Sequence, residues 1–234
     1  MRDKNKSKEY FDEYIEEQIE DFKEFMELLD DESVLKERLP FLKETLFDYK
    51  SEIIIARYSR GDSIDEIVSD YNELLVFWKD TCNMESIQGA YEQSLWYLSI
   101  GILLGEKESL KEIRKTLEKN KINDWLFNFL LYYNGNNIDQ ISGELLGHKK
   151  YQSLKKAICT LDRNQLIHYL EKEWYPGFKD FGWYDSHKNT KRGHNLYFGY
   201  WCFEAGAIVK LLKWDDSDLK EQQYYPYDLV HYKE

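Results

Sequence analysis

The sequence predicts an all-α protein, and three observations support this fold class. Apolar residues recur every three to four positions over long stretches, which is the periodicity of amphipathic helices. The 234 residues contain only three prolines, at positions 40, 176 and 226, so few segments are barred from helix. Strand signals are close to absent. We therefore expect a multi-helix, bundle-like array without a regular sheet.

Local signals define the predicted helices in chain order. SRG at 59–61 ends the second helix, and SIDE at 63–66 forms a capping box that begins the third. Between Tyr71 and Trp78 the third helix has apolar residues at i, i+3, i+4 and i+7, which give it one apolar face. The predicted helices are 7–30, 33–59, 64–80, 86–104, 107–119, 123–133, 150–159, 163–174 and 196–213.

The predicted helices group into two subdomains. A hinge is expected at EKNKIND, residues 118–124, and a looser connection, NGNNIDQISGELLGHK, follows it. We expect an acidic N-terminal subdomain, 1–120, and a C-terminal subdomain, 121–234. The chain is long enough to bury a proper core without disulfides or metals. No repeat of 20–50 residues is visible, so a regular solenoid is disfavoured.

The charge of the chain indicates which partners it can bind. It has 44 acidic and 32 basic residues, which gives a formal charge of −12. Between Glu9 and Glu52, sixteen acidic residues oppose five basic ones. Nucleic acid and anionic membranes are therefore poor direct partners, and a basic protein is a better one. A solvated helix face is the simpler interpretation of these acids, and a binding face is the alternative.

Cysteine usage and hydropathy indicate the compartment. Cys82, Cys159 and Cys202 lie far apart without a CxxC motif, which is typical of reduced cysteines. The N-terminus has no apolar core like that of a signal peptide. The longest apolar stretch, residues 98–105, is far shorter than the roughly 20 residues that cross a bilayer. We expect a soluble, cytoplasmic protein.

Motifs for catalysis are missing from the sequence. It contains no GxSxG, no GxxxxGK[ST] and no GxGxxG, so we expect neither a catalytic residue nor a cofactor. A metal-dependent hydrolase that uses Asp185, His187, His194 and Glu204 is an alternative, because imidazole and carboxylate suit zinc or manganese. The spacing argues against it, since the two histidines are separated by an expected loop and no HExxH occurs. A non-enzymatic adaptor is a third interpretation.

Glu204 stands within an aromatic and aliphatic run, YWCFEAGAIVKLL. In the predicted helix 196–213 it shares 3–4 residue steps with Tyr197, Tyr200, Trp201, Ile208 and Leu211. Glu204 should therefore face inward, whereas Lys210 and Lys213 should lie on the polar face. Buried carboxylates are usually held by Tyr hydroxyls, a Trp indole N–H or backbone amides. We expect Glu204 to be a structural anchor.

Several short motifs follow one another in the C-terminal quarter. YFGYWCFEAGAIVKLLKWDDSDLKEQQYYPYDLVHY at 197–232 has the order GYW, FEA, DDS, YPYDL, and WYDSH precedes it at 183–187. These motifs resemble the PoNi family of immunity proteins from bacterial polymorphic-toxin systems. Two N-terminal segments are also similar to that family: EIIIARYSRGDSIDEI at 52–67 and SLWYLSIGILLG at 94–105. Cys202 replaces the small hydroxyl residue that is usual there, and Gly206 replaces the usual alanine.

The resemblance implies an all-α protein that binds and neutralises a cognate PoNe-type DNase. Because a DNase needs a basic cleft to hold phosphates, we expect a non-enzymatic antitoxin that binds one to one and blocks this cleft with its acidic surface. Residues that match the family pattern should be structural: Tyr200, Trp201, Glu204, Asp215, Asp216, Tyr225, Pro226 and Asp228. Asp215 to Asp218 should cap a final short helix. The residues expected to contact the partner are Asp180, Trp183, Asp185, His187, Glu13, Glu16, Glu17 and Glu20. A homodimer of the chain is a further alternative.

Overall fold

The computed structural model describes residues 1–81, 90–147, 149–189 and 195–233. Within these ranges it has ten α-helices and no strand, which confirms the all-α prediction. The helices are α1 (Lys8–Asp30), α2 (Leu39–Arg60), α3 (Ile64–Thr81), α4 (Ala90–Leu104), α5 (Lys107–Lys119), α6 (Trp125–Tyr132), α7 (Gln152–Thr160), α8 (Arg163–His168), α9 (Phe203–Leu212) and α10 (Tyr227–Val230). A membrane-spanning helix, which must be both long and apolar, does not occur among them.

The first of two compact units comprises Met1–Cys82 and Gly182–Gly199. Here α1 packs on α2, and α2 packs on α3. Gly61 ends α2 in a left-handed conformation, with φ of 99°, and its amide donates to the carbonyls of Arg57 and Tyr58. Glycine adopts this conformation without a Cβ penalty. The predicted end of the second helix is therefore confirmed.

The N-terminal segment closes the first unit. The amides of Arg2 and Asp3 both donate to the Ser59 carbonyl at 3.0 Å. The buried Asp3 carboxylate accepts the Asn5 amide at 2.7 Å and the Tyr197 hydroxyl. Because Tyr197 belongs to the returning segment Gly182–Gly199, Asp3 links two distant parts of the sequence.

The second unit comprises Asn83–Phe181 and Tyr200–Glu234. Its central helix is α4, which packs against α5, α6, α9 and α10. Residues on every side of α4 are buried, as expected for a helix surrounded by others. The predicted subdomains 1–120 and 121–234 divide the chain once, whereas the two units are discontinuous in sequence. That linear division stays a prediction.

Two predicted helices begin later than expected. The predicted helix 33–59 begins at Leu39, after a 3₁₀ turn at Lys36–Arg38, because Pro40 suits only the first helical turn. The predicted helix 196–213 begins at Phe203. Gly199 has φ of 116°, and the Cys202 amide donates to the Tyr224 carbonyl at 2.8 Å, so residues 195–202 are not helical. Glu204 thus lies in the first turn of α9.

Some sequence predictions fall outside the described residues. These are Cys82, His194 and the start of the predicted helix 86–104. The other two cysteines, Cys159 and Cys202, are free; Cys159 is exposed and Cys202 is buried.

Candidate functional site

An exposed row of glutamates runs along α1. Phe11, Tyr14 and Ile15 are buried on one side of the helix, which leaves the opposite side to solvent. Acidic residues recur there at steps of three or four, so they project in one direction. This row, the α1 glutamate stripe, consists of Glu9, Glu13, Glu16, Glu20, Glu24 and Glu27, all exposed.

The four glutamates predicted to contact a partner differ in their surroundings. Glu13, Glu16 and Glu20 belong to the α1 glutamate stripe. Glu17 lies beside it and accepts a hydrogen bond from the Asn195 side-chain amide at 3.2 Å. The structure therefore brings three of the four predicted carboxylates into one row.

The second predicted contact region comprises Asp180, Trp183, Asp185 and His187, and we call its part Trp183–Lys188 the Trp183 segment. Trp183 is half-buried. Asp185 has φ of 61°, and its carboxylate accepts a hydrogen bond from Lys188 at 2.8 Å. The His187 ring packs edge-on against Tyr197, with ring centres 6.0 Å apart, and burial lowers the pKa of this histidine. The segment is thus held in place while part of the indole faces solvent. Asp180 is exposed and belongs to the second unit.

The residues of the metal-hydrolase alternative are not gathered in one described cluster. Across the described ranges, no group of three or more His, Cys, Asp or Glu residues could hold a metal ion. Asp185 and His187 belong to the first unit, whereas Glu204 is enclosed in the second. His194 lies outside the described residues.

Glu204 is completely buried, at 0% exposure. Its Oε1 accepts hydrogen bonds from the Trp174 indole N–H at 3.0 Å and from the Tyr169 hydroxyl at 3.3 Å. Tyr169–Glu173 forms a π-helical turn in which the Trp174 amide donates to the Tyr169 carbonyl. This wide turn directs two side chains five residues apart at the same carboxylate. Burial raises the pKa of Glu204, and its hydrogen bonds and Lys150 oppose that rise.

The second unit also contains a buried ion pair that the sequence does not predict. Lys150 Nζ is 3.2 Å from Glu92 Oε1, and the two side chains are 7% and 3% exposed. The ammonium also lies 3.4 Å from the centre of the Phe178 ring, within cation–π range. Burial lowers the pKa of Lys150, while the carboxylates of Glu92 and Glu204 raise it. The partners are too distant in sequence for spacing to reveal them.

The DDSD motif has two separate roles. Asp215 accepts the Ser217 amide at 3.1 Å just before the 3₁₀ turn Ser217–Leu219, but neither that turn nor α10 has a side-chain cap, so the predicted capping of a final short helix is wrong. Asp216 is buried and accepts the Tyr225 hydroxyl at 2.7 Å, while His231 Nε2 lies 3.0 Å from its other oxygen. Asp216 therefore ties the C-terminal tail to the turn.

The other family-pattern residues also lie along this tail and its neighbours. Tyr200, Trp201 and Pro226 are buried, and Asp228 is exposed on α10. The Tyr200 ring lies 5.0 Å from the ring of Tyr175. A Cβ on Gly206 would lie 2.8 Å from Pro226 Cγ, so the tail packs closely against α9 at this glycine.

The predicted solvent-facing position of Lys210 is wrong. Lys210 is part-buried, and its ammonium donates to the carbonyls of Leu103 at 3.1 Å, Val230 at 2.7 Å and Tyr232 at 2.9 Å. Leu103 lies in the last turn of α4 and Val230 ends α10, where carbonyls have no partner within the helix. A cation at two helix C-termini is also favoured by the helix dipoles. Lys210 therefore connects α9, α4 and the tail, whereas Lys213 is exposed.

The described part of the chain is all-helical, and the protein is acidic, with a row of exposed glutamates on α1. Two family models match it: PoNe immunity protein (PoNi), N-terminal, over residues 2–115, and PoNe immunity proteins (PoNi), C-terminal, over residues 122–229. The chain belongs to the PoNe immunity protein (PoNi) family and is thus an immunity protein rather than an enzyme.

A solved structure supports the fold. The crystal structure of protein PA2201 from Pseudomonas aeruginosa is similar, with a TM-score of 0.64 and 19% sequence identity. The match covers 92% of this chain and 87% of that one. A search of curated proteins gives no significant match.

Proposed function

We propose that this chain binds a cognate DNase toxin one to one and neutralises it by covering the basic cleft that holds DNA. A nuclease must hold phosphates, so its cleft carries lysines and arginines. Membership of the PoNe immunity protein family supports a toxin as the partner. The observation that carries the proposal is the α1 glutamate stripe, because its carboxylates can take the place of phosphates. This inhibition would take place in the cytoplasm, where the toxin reaches DNA.

The two predicted surfaces have different tasks in this proposal. The α1 glutamate stripe is exposed, so its charges are solvated and each pair contributes little binding energy. The stripe attracts the basic toxin and raises the association rate. The Trp183 segment contributes the contact that slows dissociation, because a tryptophan buried at an interface carries much binding energy.

A nuclease titration tests the proposal. The cognate toxin domain is incubated with plasmid DNA and increasing amounts of the immunity protein. We expect cleavage to fall linearly and to stop at an equimolar ratio, and excess DNA should compete with the immunity protein. Light scattering of the complex gives its stoichiometry and reports any homodimer. A toxin that forms the complex yet still cleaves DNA would refute cleft blocking.

Variants separate the two surfaces. Glutamine at Glu13, Glu16, Glu17 and Glu20 should lower the association rate, whereas Trp183→Ala with Asp185→Asn should leave association nearly unchanged and raise the dissociation rate. A control with the same change of charge replaces four exposed glutamates of the second unit, Glu108, Glu118, Glu144 and Glu171. If the Trp183 pair folds and leaves dissociation unchanged, the Trp183 segment is not the contact.

A further inference from the structure

A groove of about 340 Å³ lies between α1 and α2, beside the α1 glutamate stripe. This volume is at the low end of ligand pockets and suits one long side chain better than a cofactor. Ile15 and Ile19 give the groove an apolar portion, and Ile15 is buried. The groove is lined by Asp12, Ile15, Glu16, Ile19, Glu20, Lys23, Arg57 and Arg60.

The two arginines of the groove are engaged by carboxylates of their own unit. The Arg60 guanidinium contacts Asp12 at 2.8 Å and Asp62 at 2.7 and 2.5 Å through separate nitrogens. Arg57 contacts Asp70 at 2.8 Å. The Arg60–Asp62 pair is bidentate and therefore oriented and strong, whereas Arg57 contacts Asp70 through one nitrogen. The positive charge of each guanidinium group is therefore balanced by a carboxylate of the same unit.

The three carboxylates of the groove differ in whether they have a partner. Asp12 is held by Arg60 and Lys8. The side chains of Glu16, Glu20 and Lys23 are engaged by no hydrogen bond or ion pair within the described part of the chain. Two unengaged carboxylates thus oppose one unengaged ammonium, next to an apolar wall. An aliphatic stem that ends in a cation complements such a groove.

We infer that this groove receives the side chain of a lysine or arginine from the toxin. The inference rests on the proposed function, since a DNA-binding cleft supplies such side chains. The stem lies along Ile15 and Ile19, and its cationic head contacts Glu16 and Glu20. An acidic partner side chain is disfavoured, because the field of the α1 glutamate stripe repels it. Part of the stripe therefore holds the toxin in addition to steering it.

Binding kinetics with the catalytically silenced toxin domain test this inference. The groove variant is Glu16→Gln with Glu20→Gln, and the control is Glu13→Gln with Glu24→Gln. Both pairs lie on the same stripe and change the charge equally, but only the first lines the groove. Ile19→Trp fills the groove without changing its charge. Circular dichroism checks that each variant is folded.

We expect the groove pair and Ile19→Trp to raise the dissociation rate about tenfold, while the control pair mainly lowers the association rate. The control effect should vanish at about 0.5 M salt, where exposed charges are screened, and the groove effect should persist. Identical kinetics for the two glutamine pairs would overturn the inference. If Ile19→Trp does not fold, the comparison of the two glutamine pairs still tests the inference. Their four positions are exposed, so these substitutions should leave the protein folded.

A double-mutant cycle identifies the occupant. Each basic residue of the toxin cleft is replaced by alanine and measured against wild type and the groove pair. One replacement should weaken binding to wild type but not to the groove pair. If every toxin replacement weakens binding to wild type and to the groove variant equally, no basic side chain of the toxin occupies the groove. If wild type neither binds nor inhibits the toxin, the proposed function itself fails.

Discussion

Lys210 provides a sharp test of how the second unit is held together. Lys210→Met keeps an unbranched stem but removes the three hydrogen bonds to the Leu103, Val230 and Tyr232 carbonyls. Hydrogen bonds from a charged donor contribute about 1.5–3 kcal/mol each, and the part-buried position reduces this to about 1 kcal/mol. We expect a loss of about 3 kcal/mol. For a chain of this size that corresponds to a decrease of about 6–12 °C in Tm.

The assay is thermal and urea unfolding followed by circular dichroism. Lys213→Met is the matched control, because it removes the same charge from an exposed residue three positions later. Lys210→Arg should be intermediate, since a planar guanidinium donates in a fixed fork and three convergent carbonyls suit an ammonium better. Equal unfolding midpoints for Lys210→Met and Lys213→Met would refute the linking role.

Three further predictions concern buried or close-packed groups. Glu204→Ala leaves an indole and a phenol donor without their acceptor and should lower the free energy of unfolding by about 2–4 kcal/mol. Glu204→Gln keeps an acceptor and should lower it by less than about 1 kcal/mol. Equal losses for the two variants in urea unfolding would argue against Glu204 as a structural anchor. Burial raises the pKa of Glu52 from 4.5 to about 7, although the Tyr14 hydroxyl donates to this carboxyl at 2.6 Å. Because the folded state binds this proton more tightly than the unfolded state, the carboxyl lowers stability as the pH rises from about 4.5 to about 7, and Glu52→Gln should remove about 2 kcal/mol of that loss. If the free energy of unfolding of wild type and of Glu52→Gln changes equally from pH 4 to pH 8, the raised pKa of Glu52 is wrong. Gly206→Ala places a methyl against Pro226 and should cost about 1–3 kcal/mol in thermal unfolding; a variant as stable as wild type would mean that the tail shifts freely.

Local signals in the sequence were sufficient for the fold class and for several helix ends. The predicted helix 107–119 coincides with α5, and α2 ends at the predicted glycine, Gly61. These features depend on apolar periodicity and on the backbone freedom of single residues, which are properties of short segments. The motifs of the C-terminal quarter likewise indicate the PoNi family, because they are stretches of consecutive residues.

Long-range contacts were needed for the residues that hold the protein together. Residues 195–202 carry apolar residues at helical spacing, yet they are not helical: Gly199 has a positive φ, and the Cys202 amide donates to the Tyr224 carbonyl. The spacing likewise placed Lys210 on the polar face, but carbonyls from α4 and the tail surround its ammonium. The pair of Lys150 and Glu92 leaves no pattern in the sequence at all. A side chain's partner depends on which segments meet in space, and periodicity reports only the helix on which that side chain lies.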